Sequence, residues 1–287
     1  MENQSRRKFI IQSLLAAGIA GSEGFSILSP TEEKITEIGL IPTVIDSNLK
    51  ENWKSALQEV AEIGYAWLEF GKYYGPDPAE FKKFMKEIGL KPLAGGGAMA
   101  GMKNPEQLKR MIDSALELDK KYLVCYWPWM DNGNNKKLDD FKRAADDLNE
   151  IGKQCNQSGI IFAFHNHDKE FVPVEGHRWG YEVILEQTYP QQVSMLMDLY
   201  WITKGAGDPI YFMERYPERF SMFHVKDMDN TPSQLYTCPG YGIIDFPKIF
   251  AHARKAGVKY YTVEIDQHEN GMQCLRDSYN YLKNLRF

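Results

Sequence analysis

Histidine and acidic side chains close four successive apolar runs in the second half of the chain. The first reads Phe162-Ala163-Phe164-His165-Asn166-His167-Asp168, and the next Met195-Leu196-Met197-Asp198. The third is Met222-Phe223-His224-Val225-Lys226-Asp227, and the last Thr262-Val263-Glu264-Ile265-Asp266. Imidazole nitrogens and carboxylate oxygens together are the donors that suit zinc, manganese and other divalent first-row ions. Four segments that each offer such a donor from one side surround an ion and leave a position open for substrate, which separates a catalytic site from a structural one. Taken singly, an Asp ending a strand is more often a helix cap and a lone His a satisfied core residue. Four in succession argue for chemistry.

What positions such residues is a repeated local phrase, a helical stretch ending in Gly followed by a β-branched or aromatic run. It occurs at Gly64 before Tyr65–Phe70, Gly89 before Leu90–Ala94, Gly159 before Ile160–His165, and Gly257 before Val258–Ile265. Glycine just past the last helical turn supplies the left-handed conformation that stops a helix, so each phrase is a helix-to-strand joint. Further apolar runs lie at Ile38–Val44, Tyr122–Trp127, Val193–Leu199 and Phe220–Val225, with helical periodicity between them, as in Phe81, Phe84, Met85 and Ile88. Strands apolar on both faces belong to a parallel sheet covered by helices. Eight such units predict an α/β fold, a (β/α)8 TIM barrel, in one domain over residues 31–287, with its chemistry at the carboxyl ends of the strands. No glycine-rich fingerprint follows the first strand, which removes the usual dinucleotide alternative.

Composition narrows the partners. The 287 residues are 43% hydrophobic and 25% charged, which sets aside disorder, collagen and coiled coil. A net charge of −5 does not supply the basic surface that a nucleic-acid backbone needs. The four cysteines, Cys125, Cys155, Cys238 and Cys274, form no CxxC pair and read as separate core or surface thiols. Gly95-Gly96-Gly97 lacks the Lys-Ser/Thr of a phosphate loop and reads as a flexible loop. Tyr126-Trp127-Pro128-Trp129 offers rings that stack on a sugar face or pack as a lid.

At the strand ends the sequence resembles the xylose-isomerase-like TIM barrel superfamily of the AP endonuclease family 2 type. That superfamily includes endonuclease IV, ketose 3-epimerases, inosose dehydratases and sugar phosphate isomerase/epimerases. The resemblance rests on His165-Asn166-His167-Asp168, Asp198-Leu199-Tyr200-Trp201, His224-Val225-Lys226-Asp227-Met228, Gly240–Phe246 and Val263-Glu264. It implies one divalent ion (Mn, Zn, Mg or Co) held by Asp198, His224 and Glu264, with His165 where the epimerases place a glutamate. It further implies Glu264, His167 and Lys226 as catalytic residues, and Glu69, Trp127, Asn166, Trp201 and Asp227 as substrate-binding ones. The expected partner is a small sugar. Two reactions stay open: isomerisation or epimerisation by proton abstraction next to a carbonyl, and elimination from a 3-keto-glycoside or related oxidised sugar. A DNA-repair enzyme would need more histidines and a basic face; a non-catalytic carbohydrate-binding barrel would not need the retained ligand set. The oligomeric state is left open, a homodimer among the alternatives.

The first thirty residues read as an address. Arg6 and Arg7 precede a modest apolar stretch, Phe9 to Ala20, too short for the roughly 20 residues of a bilayer span. That order is a secretory signal of the twin-arginine kind, so the expectation is a periplasmic protein with no stable membrane anchor. Replacing both arginines by Lys should hold the protein in the cytoplasm on fractionation; undiminished export would remove the assignment.

Overall fold

Eight parallel strands close into a barrel in the computed structural model, which describes residues 33–130 and 136–287. They are β1 (Gly39–Ile41), β2 (Trp67–Glu69), β3 (Lys91–Ala98), β4 (Tyr122–Trp127), β5 (Ile161–His165), β6 (Ser194–Asp198), β7 (Phe220–Val225) and β10 (Tyr260–Glu264). Each pairs with its neighbours in chain order, and β10 closes on β1 through Ile41 and Glu264. A small antiparallel hairpin, β8 (Asp227–Met228) and β9 (Tyr236–Thr237), interrupts the run after β7. Every run expected to be a strand coincides with one, though β3 runs on past the expected Ala94 to Ala98. The helix-ending glycines also do as expected: Gly64, Gly89, Gly159 and Gly257 all take positive φ, where a Cβ is strained. The expected signal segment lies outside the described residues. Among those described, no helix is long and apolar enough to cross a membrane.

Side chains alternate in and out along each strand, so a polar residue two positions beyond an inward apolar one also points inward. Trp67, Tyr122, Val124, Ala163, Leu196 and Met222 form an apolar plug inside the barrel. Glu69, Tyr126, His165, Asp198 and His224 each stand two residues further on, above the plug. A second, larger core lies between the barrel and its helices and includes Leu40, Leu68, Leu123, Phe162, Phe223 and Val263. Several helices begin on side-chain caps, for example Asn104 accepting from the Gln107 N–H at 3.0 Å and Asp77 from the Glu80 N–H at 3.0 Å.

Two expectations need correction. Gly95-Gly96-Gly97 is the interior of β3, not a loop. A Cβ on Gly96 would lie 1.8 Å from the Val124 carbonyl oxygen, so glycine is there because β4 comes too close for any side chain. The cysteines are not all separate: Cys238 and Cys274 form a disulfide, while Cys125 and Cys155 are buried and free. The bridge joins the chain just after the hairpin to the helix Gly271–Asn284, across 36 residues of sequence.

Candidate metal centre

Four strand ends deliver four donors to one point. One ligand atom from each of His165 (β5), Asp198 (β6), His224 (β7) and Glu264 (β10) lies within 4.8 Å of all the others. His165 Nε2 is 3.5 Å from Asp198 Oδ2 and 3.9 Å from Glu264 Oε2, and His224 Nδ1 is 2.7 Å from Glu264 Oε2. None of these four atoms has a hydrogen-bond partner; the His224–Glu264 approach has the distance of a hydrogen bond but not its angles. At about 1–3 kcal/mol per buried group left unpaired, even His165 Nε2 and Asp198 Oδ2, which lack the close ion pair of the other two, would cost a sizeable part of a domain's usual stability of about 5–15 kcal/mol. A divalent cation among two imidazole nitrogens and two carboxylate oxygens satisfies all four at once, so the residues fit the ion that the sequence led us to expect. The other cluster of metal-type residues among those described, Cys238, His268 and Cys274, has its two sulfurs spent in the disulfide.

The donors are held by neighbours that the sequence had cast as substrate contacts. Glu69, fully buried, faces His224 Nε2 at 3.0 Å with one oxygen and accepts from the Tyr126 hydroxyl at 2.6 Å with the other. That is the carboxylate that commonly orients a ligand histidine. Asn166 is equally committed: its Oδ1 accepts from the Asp198 N–H at 3.0 Å, and its Nδ2 donates to the Asp198 carbonyl at 3.4 Å. Asp227 accepts four backbone N–H bonds, from Met228, Gly240, Gly242 and Ile244, which shape the segment after β7. Through these contacts the three residues position the site. Asp198 itself does two jobs, since Oδ1 caps the helix Leu199–Lys204 by accepting from the Trp201 N–H at 2.7 Å while Oδ2 faces the other donors.

Charge at the mouth is concentrated on Lys226. Its buried ammonium lies 3.1 Å from Asp266, 3.2 Å from Glu264 and 3.9 Å from Asp198. Burial disfavours that charge, but the three carboxylates outweigh it and keep Lys226 protonated. Burial likewise works against Glu264, yet Lys226 and His224 hold its carboxyl well below the usual range. Burial, opposed chiefly by Lys226, lifts Asp198 to about 7. It would pull His224 down, but Glu69 and Glu264 on its two sides raise it to about 10. With an ion at Nδ1, His224 would keep its remaining proton on Nε2, toward Glu69.

Of the four candidate ligands Glu264 is the most exposed, its side chain 14% accessible. Beside it His167 lies between the half-buried Trp127 and Trp201, each ring centroid 5.2 Å away, and 4.8 Å from His165. Burial and the neighbouring His165 push His167 down to about 3, so at neutral pH it is an uncharged imidazole, and its Nδ1 has no partner. Glu170, which sequence reasoning missed, anchors this segment by accepting from the His167 N–H at 2.5 Å and from Trp129 Nε1 at 2.8 Å. Its signal was a carboxylate three residues after His167, the spacing at which a side chain reaches back to a backbone N–H.

A barrel of this order with this rim places the molecule in a class. The chain belongs to the xylose isomerase-like TIM barrel family, whose model matches residues 57–285. It is 25% identical over 230 residues to an inosose dehydratase of Geobacillus kaustophilus, covering 68% of this chain and 73% of that protein. With an inosose dehydratase of Bacillus cereus it shares 26% identity over 146 residues, spanning about half of each, 45% of this chain and 48% of the other. Among solved structures, a sugar phosphate isomerase/epimerase from Parabacteroides distasonis superposes with a TM-score of 0.73 at 24% identity, covering 92% of this chain and 98% of that one. The IolI protein, solved with a bound zinc atom, superposes with a TM-score of 0.67 at 15% identity over 86% of this chain and 95% of that one. Three of these four relatives are named as dehydratases or isomerase/epimerases of small carbohydrates.

Two outcomes are expected here. Glu69→Gln should lower metal affinity by about ten- to a hundredfold in chelator competition while leaving all four ligands in place; undiminished affinity would remove Glu69 from the centre. Burial pushes Glu170 from the ordinary 4.5 up to about 8, so the fold prefers its protonated form. The stability this contributes is full below about 4.5 and is lost as pH rises to about 8. The stability advantage of wild type over Glu170→Gln in urea titrations should therefore shrink across that window, and a constant difference would mean that Glu170 is already ionised in the fold.

Proposed function

We propose that the protein is a metal-dependent, carbohydrate-processing enzyme that removes a proton from carbon beside a carbonyl, with His165, Asp198, His224 and Glu264 as the ligands. The observation that carries this is the group of four unpartnered donor atoms gathered within 4.8 Å, next to a buried ammonium. A divalent ion, zinc or manganese by donor type, supplies the positive charge that makes such a C–H acidic. Lys226 stands ready to pair with the oxygen on which negative charge develops. Glu264 is the base: it is ionised, reaches the mouth, and its Oε1 lies on the Lys226 side. His167, uncharged and with a free ring nitrogen, is the second proton-handling group, and Trp127 and Trp201 beside it form the walls against which a sugar ring packs.

The fate of the carbanion distinguishes two reactions. Elimination of a hydroxyl, making this a lyase, is favoured by His165: with imidazole in place of a second rim carboxylate, one carboxylate base remains, enough for elimination. The inosose dehydratases among the relatives point the same way. Isomerisation or epimerisation is the second reading, favoured by the likeness to the Parabacteroides structure. An oxidised sugar or glycoside suits either. The Cys238–Cys274 disulfide supports an exported location, because such bonds persist in oxidising compartments.

Incubating the metal-loaded protein with keto-sugars and 3-keto-glycosides in heavy water tests both readings. A lyase yields an unsaturated ketone absorbing in the ultraviolet; an epimerase or isomerase yields deuterium at carbon without loss of water. Glu264→Gln should slow either reaction about 100- to 10,000-fold, the range for losing a general base. Neither product nor exchange from any keto-sugar, with metal bound, would leave a binding barrel and overturn the proposal.

A further inference from the structure

A second hollow lies outside the barrel, between β3 and the helix Pro105–Glu117, and it shares no lining residue with the metal centre. Its volume is about 500 Å³, within the range of small-molecule sites. It lies against the outer face of the glycine-rich β3, where the missing side chain of Gly95 lets the Phe70 carbonyl and Lys120 close in: a Cβ there would stand 2.0 Å from the Phe70 oxygen and 2.7 Å from Lys120 Nζ. Lys120 is the unusual group. Only 6% exposed, it donates to the Phe70 carbonyl at 2.6 Å and lies 3.9 Å from the centroid of the Phe70 ring.

An ammonium has three N–H groups, and among the described residues Lys120 has one acceptor and no carboxylate within the 4.0 Å of an ion pair. The contrast with Lys226, equally buried but ringed by three carboxylates, is direct. Buried charges are ordinarily paired with an opposite charge, so a buried cation that lines a cavity and has no anionic partner calls for an anion. Two more cations, Lys72 and Arg110, line the same cavity, together with the Ser114 side chain, and no carboxylate does so among the described residues. Arg110 has only a loose contact with Glu106, 3.9 Å away on the exposed surface.

We infer that this cavity is a second binding site, for a small molecule carrying a phosphate group. Three cations match a dianion better than a single carboxylate would. The spare N–H groups of Lys120 and the planar fork of Arg110 suit its oxygens, while Met111 and Leu123 offer apolar surface to an organic remainder. Burial lowers Lys120 to about 8, against the pull of Glu69, as expected of a cation still awaiting its counter-charge.

Calorimetry on the full chain tests this with three probes: inorganic phosphate, glucose 6-phosphate and glucose. Either phosphate should bind and glucose should not; tighter binding of the ester points to an organic phosphate as occupant, equal binding to the free ion. Lys120→Met should weaken binding by about tenfold or more, the loss of one charge-assisted hydrogen bond at a buried site. Arg110→Ala, an exposed substitution that leaves the fold intact, should weaken it several-fold, and Glu264→Gln should leave it unchanged. No binding of either phosphate at millimolar concentration, binding that survives both cavity variants, or binding abolished by Glu264→Gln, which would place the ligand at the strand rim, each overturns the inference.

Discussion

His224 stands with one ring nitrogen against Glu69 and the other toward Glu264, and the rest of the mouth is arranged around that pairing. An imidazole so deep in a protein interior has no water to settle its protonation, so its two neighbours do so. Glu69 is itself fixed from β4 by Tyr126, which ties three strands to the orientation of one ring. Asn166 does the same for the next ligand, fastening the end of β5 to the backbone of β6. The rigidity of the centre therefore comes from hydrogen bonds behind the donors, and the apolar plug of Trp67, Tyr122 and Met222 below them supplies the floor.

Much of this was legible in the sequence. Apolar runs and helix-ending glycines are local signals, and they located all eight strands; the register that lines up Asp198, His224 and Thr262 came only with the fold. That four strand ends carry donors could be read because each ends an apolar run, and the family resemblance implied which four. What escaped was everything that depends on distance across the barrel. Glu69 lies 155 residues from His224, and nothing in its local sequence says which partner it meets. Asp227 and Asn166 read as substrate contacts because they sit beside the candidate catalytic residues, and only three dimensions show the backbone bonds that each of them makes. The Cys238–Cys274 bond fails to show for the same reason, as does the close approach of Val124 that makes Gly96 part of a strand.

The two lysines, Lys120 and Lys226, illustrate how differently one fold treats the same side chain. Both are removed from solvent. Lys226 is surrounded by oxygen anions whose own ionisation it sustains, so its charge belongs to the mouth as a whole. Lys120 leans on a carbonyl and an aromatic face, weak partners for a full charge.

The double duty of Asp198 bears on how drift in this lineage would look. Because one oxygen starts a helix while the other faces the ion's place, a descendant that abandoned catalysis would still be pressed to keep an aspartate there for architectural reasons. His165, whose ring nitrogens bond to nothing among the described residues, has no such second employment. It is His165, rather than the aspartate, that would erode first and so testify whether a given descendant still works.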